Sequence, residues 1–271
     1  MRAFILTCGR LGAAAALLPL LAGSKGVEIG GVILNKRVSS AADRRRSRIR
    51  MLRKTLAIGP IGALNGVRMR SWYSNAAVRL GARPIERQAQ ELGIPMLEAE
   101  NHRDPRLAEF VASRRCDIGL SLGNGYIPRS VFSLAPMGML NIHHEVLPEF
   151  RGAQSVIWQL YEGSSVTGFT IHRINSGIDT GPVIVVERVP ITFGRTLQET
   201  VTVTYADLIR RSGIALAKVL ADPSAIEAAS VQGGGRHFTT PTAMQFLRIV
   251  RNHARLRMEA LDRAADGVSG S

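Results

Sequence analysis

Residues 138–152 read Gly-Met-Leu-Asn-Ile-His-His-Glu-Val-Leu-Pro-Glu-Phe-Arg-Gly, and residues 167–182 read Thr-Gly-Phe-Thr-Ile-His-Arg-Ile-Asn-Ser-Gly-Ile-Asp-Thr-Gly-Pro. In the first stretch, Met139–Ile142 is a short apolar run that reads as a buried strand, with Asn141 and His143 two residues apart at its end. Positions i and i+2 of an extended chain project to the same side, so an amide and an imidazole leave this strand together. Open α/β sheets place their active sites at such strand ends. The second stretch alternates as a strand does and then enters a glycine-flanked loop that carries one carboxylate, Asp179. Amide, imidazole and carboxylate brought together form a centre suited to acyl transfer to an amine.

Outward from this centre the chain alternates strand and helix patterns. Val183–Val189 is expected to pair antiparallel with the strand around Phe169, and Thr196 with Glu199 has the spacing of a capping box opening a helix to Leu220. On the N-terminal side, Ile118–Leu122 reads as a buried parallel strand followed by Gly123-Asn-Gly-Tyr-Ile-Pro128, whose glycines let backbone approach a ligand closely. Before it come a helix over Pro105–Arg115 with Asp104 as its cap, a short strand Ile94–Leu97, and a helix Ile85–Leu92 ended by Gly93. Residues 1–23 have the charged start, apolar run and small residues of a secretory signal. Arg10 interrupts that run, however, and Ala3–Thr7 precedes it as a strand. The favoured reading is therefore strand, glycine turn, helix and second strand Val27–Leu34, the opening of a βαβ unit. The apolar run Leu11–Ala22 is too short to span a bilayer.

The chain has 271 residues, 45% of them apolar, and a formal charge of +14. Residues 36–54 alone carry nine Lys and Arg against Asp43, a net +8, so the cationic character is mostly local. Ile49, Leu52 and Leu56 fall on one side of this segment, which reads as a basic amphipathic helix over Ala42–Thr55. Gly59-Pro60-Ile-Gly62 is expected to stop it, and a second basic stretch contains Trp72 and Tyr73. Three readings follow, in order of preference. The segment is a solvated insertion, an interfacial helix on anionic lipid anchored by Trp72 or Tyr73, or a contact to tRNA phosphates. Cys8 and Cys116 fit no metal or redox spacing and suggest a reducing compartment. The expected organisation is a catalytic domain over residues 1–222, with the basic insertion at about 36–80, and a helical C-terminal extension over 223–271. In that extension Gly233-Gly-Gly235 reads as a flexible junction, Thr242–Arg263 as a helix, and the last residues as frayed.

The order Asn141-Ile-His143, Leu147-Pro148, Arg151-Gly152, Thr167-Gly-Phe-Thr-Ile-His172 and Gly177-Ile-Asp-Thr-Gly-Pro182 resembles the N10-formyltetrahydrofolate-dependent formyltransferase family. Its members include methionyl-tRNA, glycinamide ribonucleotide and sugar N-formyltransferases. The resemblance runs from about Ile85 to Gln198. It implies an α/β fold: a Rossmann-like, mostly parallel sheet with helices on both faces, an antiparallel edge strand and a short helical C-terminal extension. It implies a cytoplasmic enzyme, here with a membrane association at the inner face suggested by the basic segment. The co-substrate is N10-formyltetrahydrofolate, no metal is required, and folate contacts fall at Asn124, Gly125, Tyr126, Ile127, Gly177 and Ile178. Asn141 and protonated His143 are expected to hydrogen-bond the developing oxyanion. Asp179 is expected to pair with that imidazolium and pass the proton from attacking amine to leaving N10. Arg151 is assigned to an acceptor phosphate or to loop support. His172, mid-strand, is read as having no chemical partner, and His144 as packing beneath the site or orienting Glu145. Many members have His-Pro-Ser-Leu-Leu-Pro where this chain has His143-His-Glu-Val-Leu-Pro148, so His144 and Glu145 bear on the substrate. The expected acceptor is an amine of a phosphate-bearing molecule, a nucleotide- or lipid-linked amino sugar. Methionyl-tRNA is the alternative, weighed down by the lack of alternating strands after Asp222. A non-catalytic binding protein on the same scaffold is the alternative from another class, against which the intact trio speaks.

Overall fold

Strand β1 (Arg2–Thr7) is buried on both sides, which is why Ala3-Phe-Ile-Leu6 is continuously apolar rather than alternating. Ala3 and Ile5 face one core, Phe4 and Leu6 the other. The computed structural model describes every residue except Ser39, Ser40, Ala153, Gly270 and Ser271. After β1 the chain forms α1 (Ala13–Ala22) and β2 (Glu28–Asn35), and β2 returns parallel to β1. Residues 1–23 thus build the centre of the sheet, as the βαβ reading expects.

Helix α2 (Ala41–Arg79) consists of two helical halves that meet at the expected stop, Gly59-Pro60. Gly59 adopts φ 75° and ψ 165°, so the helix breaks there and resumes in a new direction, Pro60 serving as an early residue of the second half. That second half is a core helix: Met69, Trp72 and Ala76, at helical spacing, are buried against the main apolar cluster. Trp72, only 2% exposed, and Tyr73, whose hydroxyl donates to the Ser155 carbonyl at 3.0 Å, are therefore not membrane anchors. The first half keeps its apolar side exposed, Leu56 at 75%.

Next come α3 (Ile85–Glu91), β3 (Met96–Ala99), α4 (Arg106–Ser113), β4 (Ile118–Ser121) and the short α5 (Arg129–Phe132). The third strand lies two residues later than Ile94–Leu97 suggests. Asp104 holds the start of α4 by accepting from the Arg106 amide at 3.1 Å and the Glu100 amide at 3.0 Å. The chain continues through β5 (Met139–His143), β6 (Phe150–Gly152), α6 (Ile157–Glu162), β7 (Val166–Arg173) and β8 (Val183–Pro190). Then follow α7 (Leu197–Ala221), α8 (Ser224–Glu227), β9 (Arg236–Phe238) and α9 (Ala243–Ser269). The Thr196 hydroxyl accepts from the Glu199 amide at 3.1 Å, forming the expected cap of α7.

The sheet order is β3-β2-β1-β4-β5-β7-β8. The first five strands are mutually parallel, while β7 is antiparallel to both β5 and β8. Strand order reverses between β1 and β4, and their carboxyl ends flank the crevice where such folds take ligands. Apolar side chains of α1 and α7, with the second half of α2, cover one face. Those of α4 and α5 cover the other. The segment after Asp222 is not simply helical: β9 pairs parallel with β6, and Phe150 and Phe238 stack with ring centroids 5.2 Å apart. Gly235, read as part of a loose junction, lies so close to Pro148 that a β-carbon would fall 1.8 Å from the Pro148 carbonyl oxygen.

Candidate active site

The register of β5 against β7 sets Asn141 opposite His172 and His143 opposite Thr170. Asn141 therefore shares its sheet face with a second histidine, and its Nδ2 lies 3.1 Å from His172 Nε2. His172 Nδ1 is 2.9 Å from the Arg173 carbonyl, which can only accept. The ring proton thus sits on Nδ1, and Nε2 accepts from the Asn141 amide. His143 is fixed by the same logic: its Nε2 donates to the Phe150 carbonyl at 2.9 Å, turning Nδ1 toward Asp179. Asp179 stands between the two rings, Oδ2 3.7 Å from His143 Nδ1 and Oδ1 3.7 Å from His172 Nε2. These separations are too long for direct hydrogen bonds but within charge-pairing range. Burial lowers the His172 pKa from its ordinary value, outweighing the opposite pull of Arg173 and Asp179.

Asp179 is positioned from both flanks. Its backbone is left-handed, φ 52°, a conformation aspartate tolerates better than most residues. Its Oδ2 accepts from the Gly152 amide at 3.2 Å, and its carbonyl accepts from Gln232 Nε2 at 3.1 Å. Gln232 also donates to Gly181 at 2.6 Å, while its Oε1 accepts from Arg151 Nη2 at 3.2 Å. Arg151, buried and also donating to the Gly233 carbonyl at 2.8 Å, is committed to loop support. At Gly181 a β-carbon would sit 1.7 Å from the Arg173 carbonyl oxygen, so only glycine lets the Asp179 loop close onto β7.

Asn141, His143, His172 and Asp179 line one cavity of about 890 Å³. The strand-end loop contributes Asn124, Gly125, Tyr126 and Ile127, and the Asp179 loop contributes Gly177 and Ile178. Not all of these side chains are free to meet a ligand. Asn124 accepts from Cys8 Sγ at 3.0 Å and donates to the Leu6 carbonyl at 2.6 Å, tying β1 to β4 at the crevice. Ile127 is buried in the second core, whereas Tyr126 and Ile178 are exposed. A wall that the sequence did not connect to the site comes from α2, including Lys54, Ile58, Arg70 and Tyr73. Phe238 and Thr240, from the C-terminal segment, complete the lining.

Residues 78–208 match the family described as formyl transferase. This segment belongs to the formyltransferase family. Over 123 residues the chain is 37% identical to a methionyl-tRNA formyltransferase of Sorangium cellulosum, covering 45% of this chain and 40% of that protein. A second methionyl-tRNA formyltransferase, from Nitrobacter hamburgensis, is 30% identical over 145 residues, 52% of this chain and 47% of the relative. The chain thus spans less than half the length of these relatives. Among solved structures, glycinamide ribonucleotide transformylase 1 from Symbiobacterium toebii superposes with a TM-score of 0.55 at 19% identity, covering 86% of this chain and 94% of that one. The sugar 3N-formyl transferase WlaRD, solved in the presence of dTDP and 5-N-formyl-THF, gives 0.52 at 17% identity, with coverage of 88% and 69%. At such identities the structures establish a shared formyltransferase fold. The α2 wall, including Lys54 and Arg70, precedes the matched formyltransferase segment.

Behind Asn141, His143 and Asp179 lies a buried polar layer. His144 Nδ1 accepts from the Tyr205 hydroxyl at 3.3 Å. Its Nε2 lies 3.3 Å from Ser212 Oγ, whose own proton goes to the Ile209 carbonyl. His144 is therefore the Nε2–H tautomer, and burial pushes its pKa down to about 3. Glu145 is buried too, and burial raises its carboxyl well above the usual range despite a hydrogen bond from Gln159.

Proposed function

We propose that the protein transfers a formyl group from N10-formyltetrahydrofolate to an amine of a phosphate-bearing acceptor, a nucleotide- or lipid-linked amino sugar, in the cytoplasm. The observation that carries this reading is the meeting of Asn141, His143 and Asp179 with two glycine-bearing loops and two cations, Lys54 and Arg70, on one cavity. A cavity of about 890 Å³ lies in the range of small-ligand sites. The exposed Tyr126 and Ile178 offer apolar surface to a pterin ring, and Lys54 and Arg70 offer counter-charge to a phosphate. The bound folate supplies the formyl carbon.

The chain's own groups then have distinct tasks. The Asn141 amide stabilises negative charge as it develops on the formyl oxygen. His143, already donating through Nε2, carries the compensating positive charge beside Asp179. Asp179 takes the proton that the acceptor nitrogen loses as its bond to the formyl carbon forms, and returns it to N10 as the carbon–N10 bond breaks. His172 orients the Asn141 amide.

The test is tetrahydrofolate release with amino-sugar phosphates, amino-sugar nucleotides and methionyl-tRNA as acceptors. Release is expected with a phosphate-bearing amino sugar. Release with methionyl-tRNA alone would support the second reading, which the methionyl-tRNA formyltransferase relatives and the basic helix favour. Binding of 5-formyltetrahydrofolate with no turnover on any acceptor would leave a folate-binding protein. Replacing Asn141, His143 or Asp179 by Ala is expected to lower turnover about 100- to 1000-fold, as removal of a single oxyanion donor does. Near-normal turnover of His143→Ala would remove it from the chemistry.

A further inference from the structure

Glu145 is 4% exposed, it lines the cavity, and its Oε1 has no hydrogen-bond partner in the protein. Its other oxygen accepts from Gln159 Nε2. No Lys, Arg or His is ion-paired with it among the described residues; the side chains that interact with it include Tyr73, Tyr205 and Gln159. Buried polar groups are almost always hydrogen-bonded, and a buried carboxyl without a cation is kept at a cost unless something else meets it. A second unpartnered acceptor, Gln154 Oε1, lines the same cavity.

We propose that Glu145, assisted by Gln154, is the acceptor-recognising residue of this cavity, its free carboxyl oxygen taking an ammonium or amine group of an amino sugar. This rests on the formyl-transfer reading for its biological meaning, but not for its test. Burial favours the protonated carboxyl while the cavity is empty, and a cation arriving beside it turns it into an acceptor-only carboxylate, which selects ligands that bring an ammonium. A positively charged amine entering the buried site gives the carboxylate the cation it lacks. A hydroxyl in the same place offers one weaker hydrogen bond. Amine is thereby preferred to hydroxyl before any chemistry occurs. With Lys54 and Arg70 on the same wall, the favoured ligand carries an amine at one end and a phosphate at the other.

The experiment is calorimetric titration of the full chain with glucosamine 6-phosphate and UDP-glucosamine, each paired with its hydroxyl counterpart, glucose 6-phosphate and UDP-glucose. Wild type is expected to bind at least one amino sugar tighter than its counterpart by about 10-fold or more, the usual margin of a charge-assisted hydrogen bond. Glu145→Ala is expected to lose that margin. Glu145→Gln, which keeps the shape and the contact to Gln159, is expected to bind both members of a pair alike, and it decides the matter if the alanine variant does not fold. Failure of wild type to bind either amino sugar overturns the proposal, as does a margin unchanged in Glu145→Gln. 5-Formyltetrahydrofolate serves as a separate arm, expected to bind wild type and both variants equally. Its failure to bind any of them would strike the folate reading and leave the Glu145 result standing on the sugar titrations.

Discussion

His172 shows what a single residue can gain from its neighbours. Read along the chain it is a mid-strand histidine with nothing nearby; across the strands it faces Asn141 and stands 3.7 Å from Asp179. The missing information was the β5–β7 register, since a shift of one residue would have turned His172 to the other face. His172→Phe is expected to lower turnover about 10-fold, equivalent to ~1.4 kcal/mol of barrier, with 5-formyltetrahydrofolate affinity unchanged. A loss of affinity without a loss of turnover at saturation would assign it to binding instead. His144 makes a different prediction. It titrates near 6.5 when unfolded but at about 3 in the fold, so between those values the unfolded chain binds more protons. Its contribution to stability is therefore present above pH 6.5 and is lost as pH falls toward 3. One proton corresponds to at most about 1.4 kcal/mol per pH unit across that window. His144→Gln is expected to flatten the acid side of the Tm-against-pH curve. An unchanged acid limb would mean that His144 is protonated in the fold.

At the scale of elements, the parallel strands, the β7–β8 hairpin and the capped α7 were legible because continuous apolar runs, alternation and capping chemistry are local signals. That Asn141, His143 and Asp179 meet on one cavity was expected from strand spacing and a glycine loop together with the family resemblance. Two elements were not. Gly59-Pro60 ends the basic helix as its sequence signals, but the core helix that follows was not legible, because Met69, Trp72 and Ala76 find their apolar neighbours only in the fold. The three-residue β9 is too short to alternate visibly, and it exists because β6 offers a partner. Gln232, just before it, ties the Asp179 loop to Arg151. Gln232→Ala is expected to leave Arg151 and the Asp179 carbonyl short of partners, costing ~1–3 kcal/mol of stability. It should also reduce turnover by loosening Asp179. Thermal denaturation together with steady-state rates would check both, and full activity in a destabilised variant would mean that the loop holds its shape unaided.

The whole molecule is strongly cationic, and the charge is concentrated on the first half of α2, beside exposed Ile49, Leu52, Leu56 and, beyond the bend, Ile61 and Leu64. Among the described residues no helix is long and apolar enough to cross a membrane. A cationic helix with an uncovered apolar side is instead suited to lie on an anionic bilayer, each basic residue near the lipid contributing about 1 kcal/mol. Sedimentation with phosphatidylserine vesicles is expected at low salt and should fade as ionic strength rises. Phosphatidylcholine vesicles should sediment little protein. Stronger retention by tRNA than by phosphatidylserine would transfer the segment to a nucleic-acid role.

The bent helix also divides labour between two stretches of the gene. The groups proposed to carry the chemistry, Asn141, His143 and Asp179, lie downstream, on β5 and on the loop after β7, while Lys54, Ile58 and Arg70 form a wall encoded upstream of all of them. A chimera receiving a different residue 41–57 segment should keep its grip on folate and its chemistry while holding a phosphate-bearing acceptor differently, because Lys54 reaches the cavity from the exposed half of the helix whereas the second half is fixed in the core.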